Sequence, residues 1–176
     1  MRIDREKTVA LVVDYQEKLV PVMHEKEQLL RCSEILLKGL KVLEIPMYIT
    51  QQYTKGLGTS VKEITDAIED TAYTDKLSFT AYDCVKEQIA DKKFVIVCGI
   101  EAHICVLQTV IDLKAAGHIP VLVADCISSR KESDKQVALE RARQEGAIVT
   151  TYESLLFELL KVAGTQESKM IQKLIR

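Results

Sequence analysis

Short apolar runs alternate along this chain with segments whose apolar residues recur at helical spacing. The runs predict buried strands, because they are short, continuous and rich in β-branched residues. They cover residues 8–14, 46–50, 94–98, 120–124 and 147–150, with a weaker extended segment over 72–76. Helices are predicted over 29–43, 61–68, 81–90, 105–116, 135–145 and 151–162, followed from Gly164 by a charged, weakly helical and peripheral tail.

Strands that alternate with helices are typical of βαβ units, which build parallel sheets covered on both faces. Crossovers between parallel strands are right-handed, so the prediction is a three-layer α/β/α fold with a doubly wound, mainly parallel six-stranded sheet. No linker, repeat or low-complexity segment divides the sequence, and residues 1–176 are predicted to form a single domain. Ligands of such folds bind beyond the carboxyl ends of the strands.

Composition narrows the classes of partner. The net charge of −2 offers no long-range attraction for nucleic acid, and no apolar stretch approaches the ~20 residues that span a bilayer. The charged first residues lead directly into a strand, unlike a signal peptide. The five cysteines are odd in number and lack CxxC spacing, which favours a reducing compartment. We therefore expect a cytoplasmic protein with a small-molecule substrate, no nucleic acid and no membrane.

The polar side chains that follow predicted strands include Asp14, Lys76 and Cys105, although spacing alone does not single them out from the others. A carboxylate can accept the thiol proton and an ammonium can stabilise a thiolate or an oxyanion. Cys105 also begins a predicted helix, whose free N–H groups and dipole favour a thiolate. Each has a structural alternative: a helix cap for Asp14, a surface cation for Lys76 and a core residue for Cys105.

Three motifs carry a family resemblance: VVDYQ (12–16), DKLSF (75–79) and GIEAHICV (99–106). With them the chain resembles the isochorismatase-like cysteine hydrolase superfamily, which includes nicotinamidases and N-carbamoylsarcosine amidases. The resemblance implies that Asp14 is the general base, Lys76 holds the thiolate and Cys105 is the nucleophile. It also implies an oxyanion hole of the Glu101 and Cys105 backbone N–H groups, beside a cis peptide between Ile100 and Glu101.

Two further segments, QYTKGLG (52–58) and TYESLLFELL (151–160), resemble a metal-free branch, the isochorismatase domain-containing proteins. Nicotinamidases carry histidine metal ligands after strand two, but no histidine lies between Met47 and Lys76 here, so neither metal nor cofactor is expected. Members that cleave isochorismate lack the nucleophilic cysteine, so Cys105 argues against that reaction. The family implies a homo-oligomer, at least a dimer, for which the apolar segment 151–160 is either an interface or a core helix.

Gln16, Tyr53 and His103 are possible substrate contacts, although a local hydrogen bond is the simpler role for His103. We interpret His24 and His118 as surface residues, and the other four cysteines as structural.

Three functions remain open. The first is a cysteine hydrolase that cleaves a C–N bond of a small amide, ureido or carbamoyl compound through a thioester. The second is a redox or stress-response thiol protein, and the third a non-catalytic oligomeric interaction protein.

Overall fold

The computed structural model describes residues 1–176 and contains one six-stranded sheet. Every neighbouring pair of strands is parallel, in the order β3-β2-β1-β4-β5-β6. The strands are β1 (Thr8–Val13), β2 (Met47–Gln52), β3 (Thr74–Lys76), β4 (Phe94–Ile100), β5 (Ile119–Ser128) and β6 (Ile148–Thr150). The strand order reverses direction between β1 and β4, so the edge beyond their carboxyl ends is where a ligand site is expected.

Helices cover both faces of the sheet, which confirms the predicted three-layer, doubly wound fold. They are α1 (Lys26–Val42), α2 (Thr54–Leu57), α3 (Lys62–Ile68), α4 (Tyr82–Val85), α5 (Leu107–Ala115), α6 (Glu132–Gln144), α7 (Tyr152–Leu160) and α8 (Gln166–Ile175). Helices α1, α3, α7 and α8 pack together on one face, whereas α4, α5 and α6 lie on the other. No helix combines the length and the apolarity that crossing a bilayer requires.

The central strands divide their side chains between two cores. In β1, Ala10 and Val12 join the core beneath α1, while Val9, Leu11 and Val13 join the core beneath α5. Every residue of β1 and of β4 is buried. Burial on both faces explains why these strands are continuous apolar runs in the sequence rather than alternating ones.

Three predicted elements need correction. The helix predicted over 81–90 is only Tyr82–Val85, followed by turns. Strand β5 runs on from the predicted end at Ala124 to Ser128, because its pairing with β4 shifts register and lets it continue. The tail is not peripheral: α8 packs against α1 and α7, and its Ile171 is fully buried.

Two predictions about side-chain exposure are also settled by packing. The four leucines of α7 are buried in the chain's own core, so this helix is a core element, and among its large apolar residues Phe157 is exposed. His118 is buried rather than on the surface, and its Nδ1 lies 2.7 Å from the Lys92 carbonyl oxygen. Both corrections arise from tertiary neighbours that the local sequence pattern does not show.

Candidate active site

The sheet brings the three predicted chemical residues together at its carboxyl edge. Asp14 directly follows β1, Lys76 is the last residue of β3 and Cys105 lies just beyond β4. Lys76 Nζ lies 2.6 Å from Asp14 Oδ2, and both side chains are fully buried. The Cys105 thiol, in a residue only 6% exposed, interacts with both of these groups. The alternative of a surface lysine therefore does not describe Lys76, and no helix begins at Asp14 for it to cap.

A close approach between β1 and β4 shapes the site. Gly99 in β4 has a φ of +133°, and a Cβ at this position would lie 2.1 Å from the Val13 carbonyl oxygen. Only glycine avoids both the strain and the clash. On the other strand, Asp14 turns out of β1 with a φ of 55°, while its backbone N–H still donates to the Thr50 carbonyl at 3.1 Å. Its carboxylate is thereby directed beyond the end of the sheet.

Cys105 lies in a short π-helical segment, Ala102–Val106, that leads into α5. The predicted start of an α-helix at Cys105 is therefore wrong, because helical backbone begins three residues earlier. The Ile100–Glu101 peptide is cis, as the family resemblance implies. The Cys105 carbonyl accepts a 2.7 Å hydrogen bond from Thr109 Oγ1, which itself accepts one from the Ala81 N–H at 2.8 Å. These bonds hold the cysteine backbone in place.

The Lys76 ammonium makes three hydrogen bonds besides its ion pair. It donates to Gln52 Oε1 at 2.7 Å, to the Phe79 carbonyl at 3.0 Å and to the Ser78 carbonyl at 3.3 Å. These acceptors match the three donors of an ammonium group. Its contact with Asp14 is consequently a charge contact at 2.6 Å rather than a well-directed hydrogen bond. Lys76 thus has a fixed position and supplies positive charge to the site.

The Asp14 carboxylate keeps one oxygen available. Oδ1 accepts a 2.9 Å hydrogen bond from Thr50 Oγ1, whereas the buried Oδ2 receives none of standard geometry. Burial raises the pKa of Asp14, and the charge of Lys76 is the largest opposing influence, aided by the hydrogen bond from Thr50 and by the neighbouring Cys105 thiol. An ionised carboxylate beside a thiol, with a free lone pair and a raised pKa, is suited to accept a proton.

Around Cys105, burial opposes the thiolate that a helix start and a nearby cation were expected to favour. Burial, and then the negative charge of Asp14, raise the pKa of the Cys105 thiol to about 12, with Lys76 opposing them. The resting site is therefore a neutral thiol beside an ion pair, and a thiolate forms only when the thiol proton leaves. Because the two groups share one proton, they titrate as a coupled pair.

The backbone at Glu101 offers a free donor beside the thiol. The Glu101 N–H makes no hydrogen bond with any protein acceptor, although the residue is 8% exposed. Its carbonyl is used, since it accepts from the N–H groups of Ile104 at 3.1 Å and Val106 at 3.2 Å. An unpaired N–H at the start of a helical segment is the kind of group that stabilises an oxyanion.

The three possible substrate contacts have different surroundings. Gln16 is fully buried, and its amide group bonds the backbone of Gln52 and Gly58, which supports the segment after β2. Tyr53 is half exposed, at 50%. His103 Nδ1 lies 2.9 Å from Ser129 Oγ, the local hydrogen bond that was its simpler interpretation. Of the three, Tyr53 has the most side chain accessible to a ligand.

The remaining polar positions do not extend the site. Asp125 lies within β5 rather than at its end, and its carboxylate accepts from the Tyr152 N–H at 3.0 Å at the start of α7. It lines a cavity of about 220 Å³ between α1, α6 and β5 that does not include the catalytic candidates. No group of three or more His, Cys, Asp or Glu side chains is arranged to hold a metal ion.

Comparison with known proteins identifies the family of the chain. Residues 8–154 match the isochorismatase domain. The chain belongs to the isochorismatase family. It is 35% identical over 173 residues to human isochorismatase domain-containing protein 2, across 96% of this chain and 83% of that protein. This family member has a hydrolase fold, and its relatives among solved structures differ in their described activities.

Two solved structures show this range. The MAR1 ribonuclease of Caenorhabditis elegans superposes with a TM-score of 0.94 at 34% identity, across 99% of this chain and 92% of that one. The YcaC protein of Escherichia coli, described as an octameric hydrolase of unknown specificity, has a TM-score of 0.85 at 24% identity, across 92% and 83%. The second likeness establishes the fold alone.

Sequence reasoning gave no role to four residues that support the site: Thr50, Gln52, Thr109 and Arg130. Thr50 and Gln52 lie at the end of β2, a position that singles out ligand-edge residues in this fold, so their place in the sequence held a usable signal. Thr109 and Arg130 had none. Each acts through a partner distant in sequence, Ala81 for the first and Glu101 for the second.

Proposed function

We propose that this protein is a cysteine hydrolase that cleaves a C–N bond of a small amide, ureido or carbamoyl compound. The observation that carries the proposal is the buried Asp14–Lys76 pair, which lies beside the Cys105 thiol and leaves Asp14 Oδ2 without a hydrogen-bond donor of standard geometry. A binding protein has no use for an ion pair buried beside a nucleophile, since burying two charges is costly unless they do chemistry or specify structure.

In the proposed reaction, Asp14 takes the thiol proton as the Cys105 sulfur bonds to the substrate carbonyl carbon. The Glu101 and Cys105 backbone N–H groups stabilise the oxyanion, and Lys76 balances the negative charge that moves between Asp14 and the sulfur. The C–N bond breaks as Asp14 returns the proton to the leaving nitrogen. Water, deprotonated by Asp14, then hydrolyses the thioester, and the proton returns to the thiol.

A substrate panel tests this proposal. Small primary amides, ureido acids and carbamoyl compounds are incubated with the protein, and released ammonia or amine is measured. Turnover should disappear in Cys105→Ala and persist in Cys32→Ala, which removes a buried thiol from α1 instead. Mass spectrometry of quenched reactions should detect an acyl adduct on Cys105. Hydrolysis that survives Cys105→Ala would overturn the proposal.

The name of the MAR1 neighbour makes RNA a necessary member of the panel. Its scaffold is shared, but the net charge of −2 here favours a small molecule over a polyanion. We expect no RNA cleavage that depends on Cys105. Cleavage lost in Cys105→Ala would replace the small-molecule assignment with a nuclease.

Assembly and location are part of the proposal. We infer a homo-oligomer of at least two chains, in line with the described octamer of YcaC, although the α7 leucines cannot form its interface because the chain's own core buries them. Light scattering that gives a monomer at micromolar concentration would contradict this assembly.

The five free cysteines favour the cytoplasm, which fractionation of the native protein can test.

One observation favours the redox alternative. Cys84 is partly exposed and lies near enough to the site that the charges of Lys76 and Asp14 act on its thiol. Peroxide could oxidise Cys105 to a sulfenic acid, which a second thiol would convert to a disulfide with release of water. Thiol titration after peroxide treatment distinguishes the functions: joint loss of the Cys84 and Cys105 thiols without amide turnover favours the redox role.

A further inference from the structure

The side chain of Glu101 connects the free backbone N–H of the same residue to the turn after β5. Glu101 Oε2 accepts two hydrogen bonds from one residue, from the Arg130 N–H at 3.0 Å and from Arg130 Nε at 3.1 Å. The carboxylate side chain is 9% exposed, whereas the Arg130 side chain is 60% exposed. The contact is therefore a largely buried carboxylate held by an arginine that approaches from the surface.

A second contact joins the same two segments. His103 Nδ1 lies 2.9 Å from Ser129 Oγ. Ser129 and Arg130, which are consecutive in the turn, therefore contact His103 and Glu101, the two neighbours of Ala102 in the chain. No acceptor in the protein orients the Glu101 N–H. The direction of that N–H depends on how its own peptide is held, and the Glu101–Arg130 pair is the strongest polar contact doing so.

We propose that Arg130 is a positioning residue, which acts through the Glu101 carboxylate to aim the Glu101 N–H at the substrate oxyanion. The inference rests on the proposed acyl-transfer function. Removing an oxyanion-hole donor outright slows catalysis by about 10²–10³-fold, and such donors act only within about 2.7–3.1 Å of the oxyanion. Loss of the arginine would displace this donor, because a buried carboxylate without its cation moves toward water.

Two reactions of the same thiol separate positioning from general structural damage. In acylation by p-nitrophenyl acetate, the Cys105 sulfur bonds to the acetyl carbon, the carbonyl oxygen becomes an oxyanion and nitrophenolate leaves. In alkylation by iodoacetamide, the sulfur displaces iodide from a saturated carbon, and no oxyanion forms. The thiol proton is released to water in both reactions, by way of Asp14 in the proposed acylation. The ratio of the two rates therefore reports on the oxyanion hole.

Arg130→Met should lower the acylation rate at least tenfold while the alkylation rate of Cys105 stays within about twofold. Glu101→Leu should do the same, and Glu101→Gln, which keeps an oxygen acceptor for both Arg130 donors, should restore most of the rate. The matched control is Arg141→Met, which breaks an exposed Arg–Glu pair, Arg141 with Glu145, on α6. It should leave both rates unchanged.

The two positions should also be coupled, so that Arg130→Met adds little to Glu101→Leu. Acylation that is unchanged in Arg130→Met and Glu101→Leu would overturn the inference, as would acylation and alkylation that fall together. If the wild-type protein is alkylated but never acylated, acyl transfer itself fails and the inference fails with it. Unchanged variants beside an active wild type overturn only the role of Arg130.

Discussion

Replacing Asp14 by Asn separates the two influences that Asp14 has on the thiol. The carboxylate raises the pKa of Cys105 by its charge, and it is also the base that the proposed reaction needs. Asn has nearly the same shape, keeps an oxygen for the hydrogen bond from Thr50 and tolerates the left-handed backbone at this position. The variant should therefore make Cys105 more reactive toward an alkylating agent and less active as an enzyme.

The size of both effects can be estimated. With a thiol pKa of about 12, only about one Cys105 in 100,000 is a thiolate near neutral pH. Removing an adjacent like charge raises such a population by about ten- to a thousand-fold. Each thiolate is also less nucleophilic when its thiol is more acidic, so the alkylation rate rises by only about the square root of the rise in thiolate population. We therefore expect a roughly three- to thirtyfold faster alkylation. Acyl transfer should fall by about 10²–10⁴-fold, the contribution of a general base.

The assay measures iodoacetamide incorporation at Cys105 by peptide mapping, beside turnover of whichever panel substrate the wild type accepts. Asp75→Asn is the matched control, because it removes an exposed carboxylate next to Lys76 that hydrogen bonds Thr54 instead of the thiol. Urea unfolding checks that Asp14→Asn is folded. Breaking a buried ion pair lowers the free energy of unfolding by ~3–5 kcal/mol, and we expect a value near the lower end because Lys76 keeps its three hydrogen-bond acceptors. Alkylation of Cys105 that falls with turnover in a folded variant would refute this account of the pKa.

Three other results are expected. Lys76→Met should slow Cys105 alkylation and lower the free energy of unfolding in urea by about 3–5 kcal/mol. The loss should be greater near pH 8 than near pH 5, because the pKa of Asp14 rises further without the cation and the folded state then holds a proton that the unfolded chain releases. Equal losses at both pH values would contradict this. Gly99→Ala should lower the free energy of unfolding by more than about 4 kcal/mol, because the new methyl group would overlap the Val13 carbonyl. A decrease under about 1 kcal/mol would show that β1 and β4 can move apart at this point. Dialysis against a chelator should leave substrate turnover unchanged, and turnover restored by one equivalent of added zinc, iron or manganese would show a metal requirement.

Periodicity in the sequence was sufficient for the architecture. The strands of this sheet are buried on both faces, so each is a continuous apolar run that can be recognised without knowing its neighbours. Helix α8 was underestimated, because its few apolar residues are separated by charges, and only contact with α1 and α7 shows that Ile171 belongs to the core. The length of β5 depended on a register shift against β4, which has no local signal.

The candidate site divides in the same way. Strand ends placed Asp14, Lys76 and Cys105 at one edge of the sheet, and the family resemblance of their motifs singled them out from the other polar residues there. The ionisation of the thiol did not follow, because the position of Cys105 in the sequence indicates a helix start and a nearby cation but not burial beside a carboxylate. Desolvation and charge depend on everything packed around a group, so the tertiary structure alone shows that burial and Asp14 raise the pKa of the Cys105 thiol. It alone also placed Arg130 against Glu101, 29 residues away in the chain.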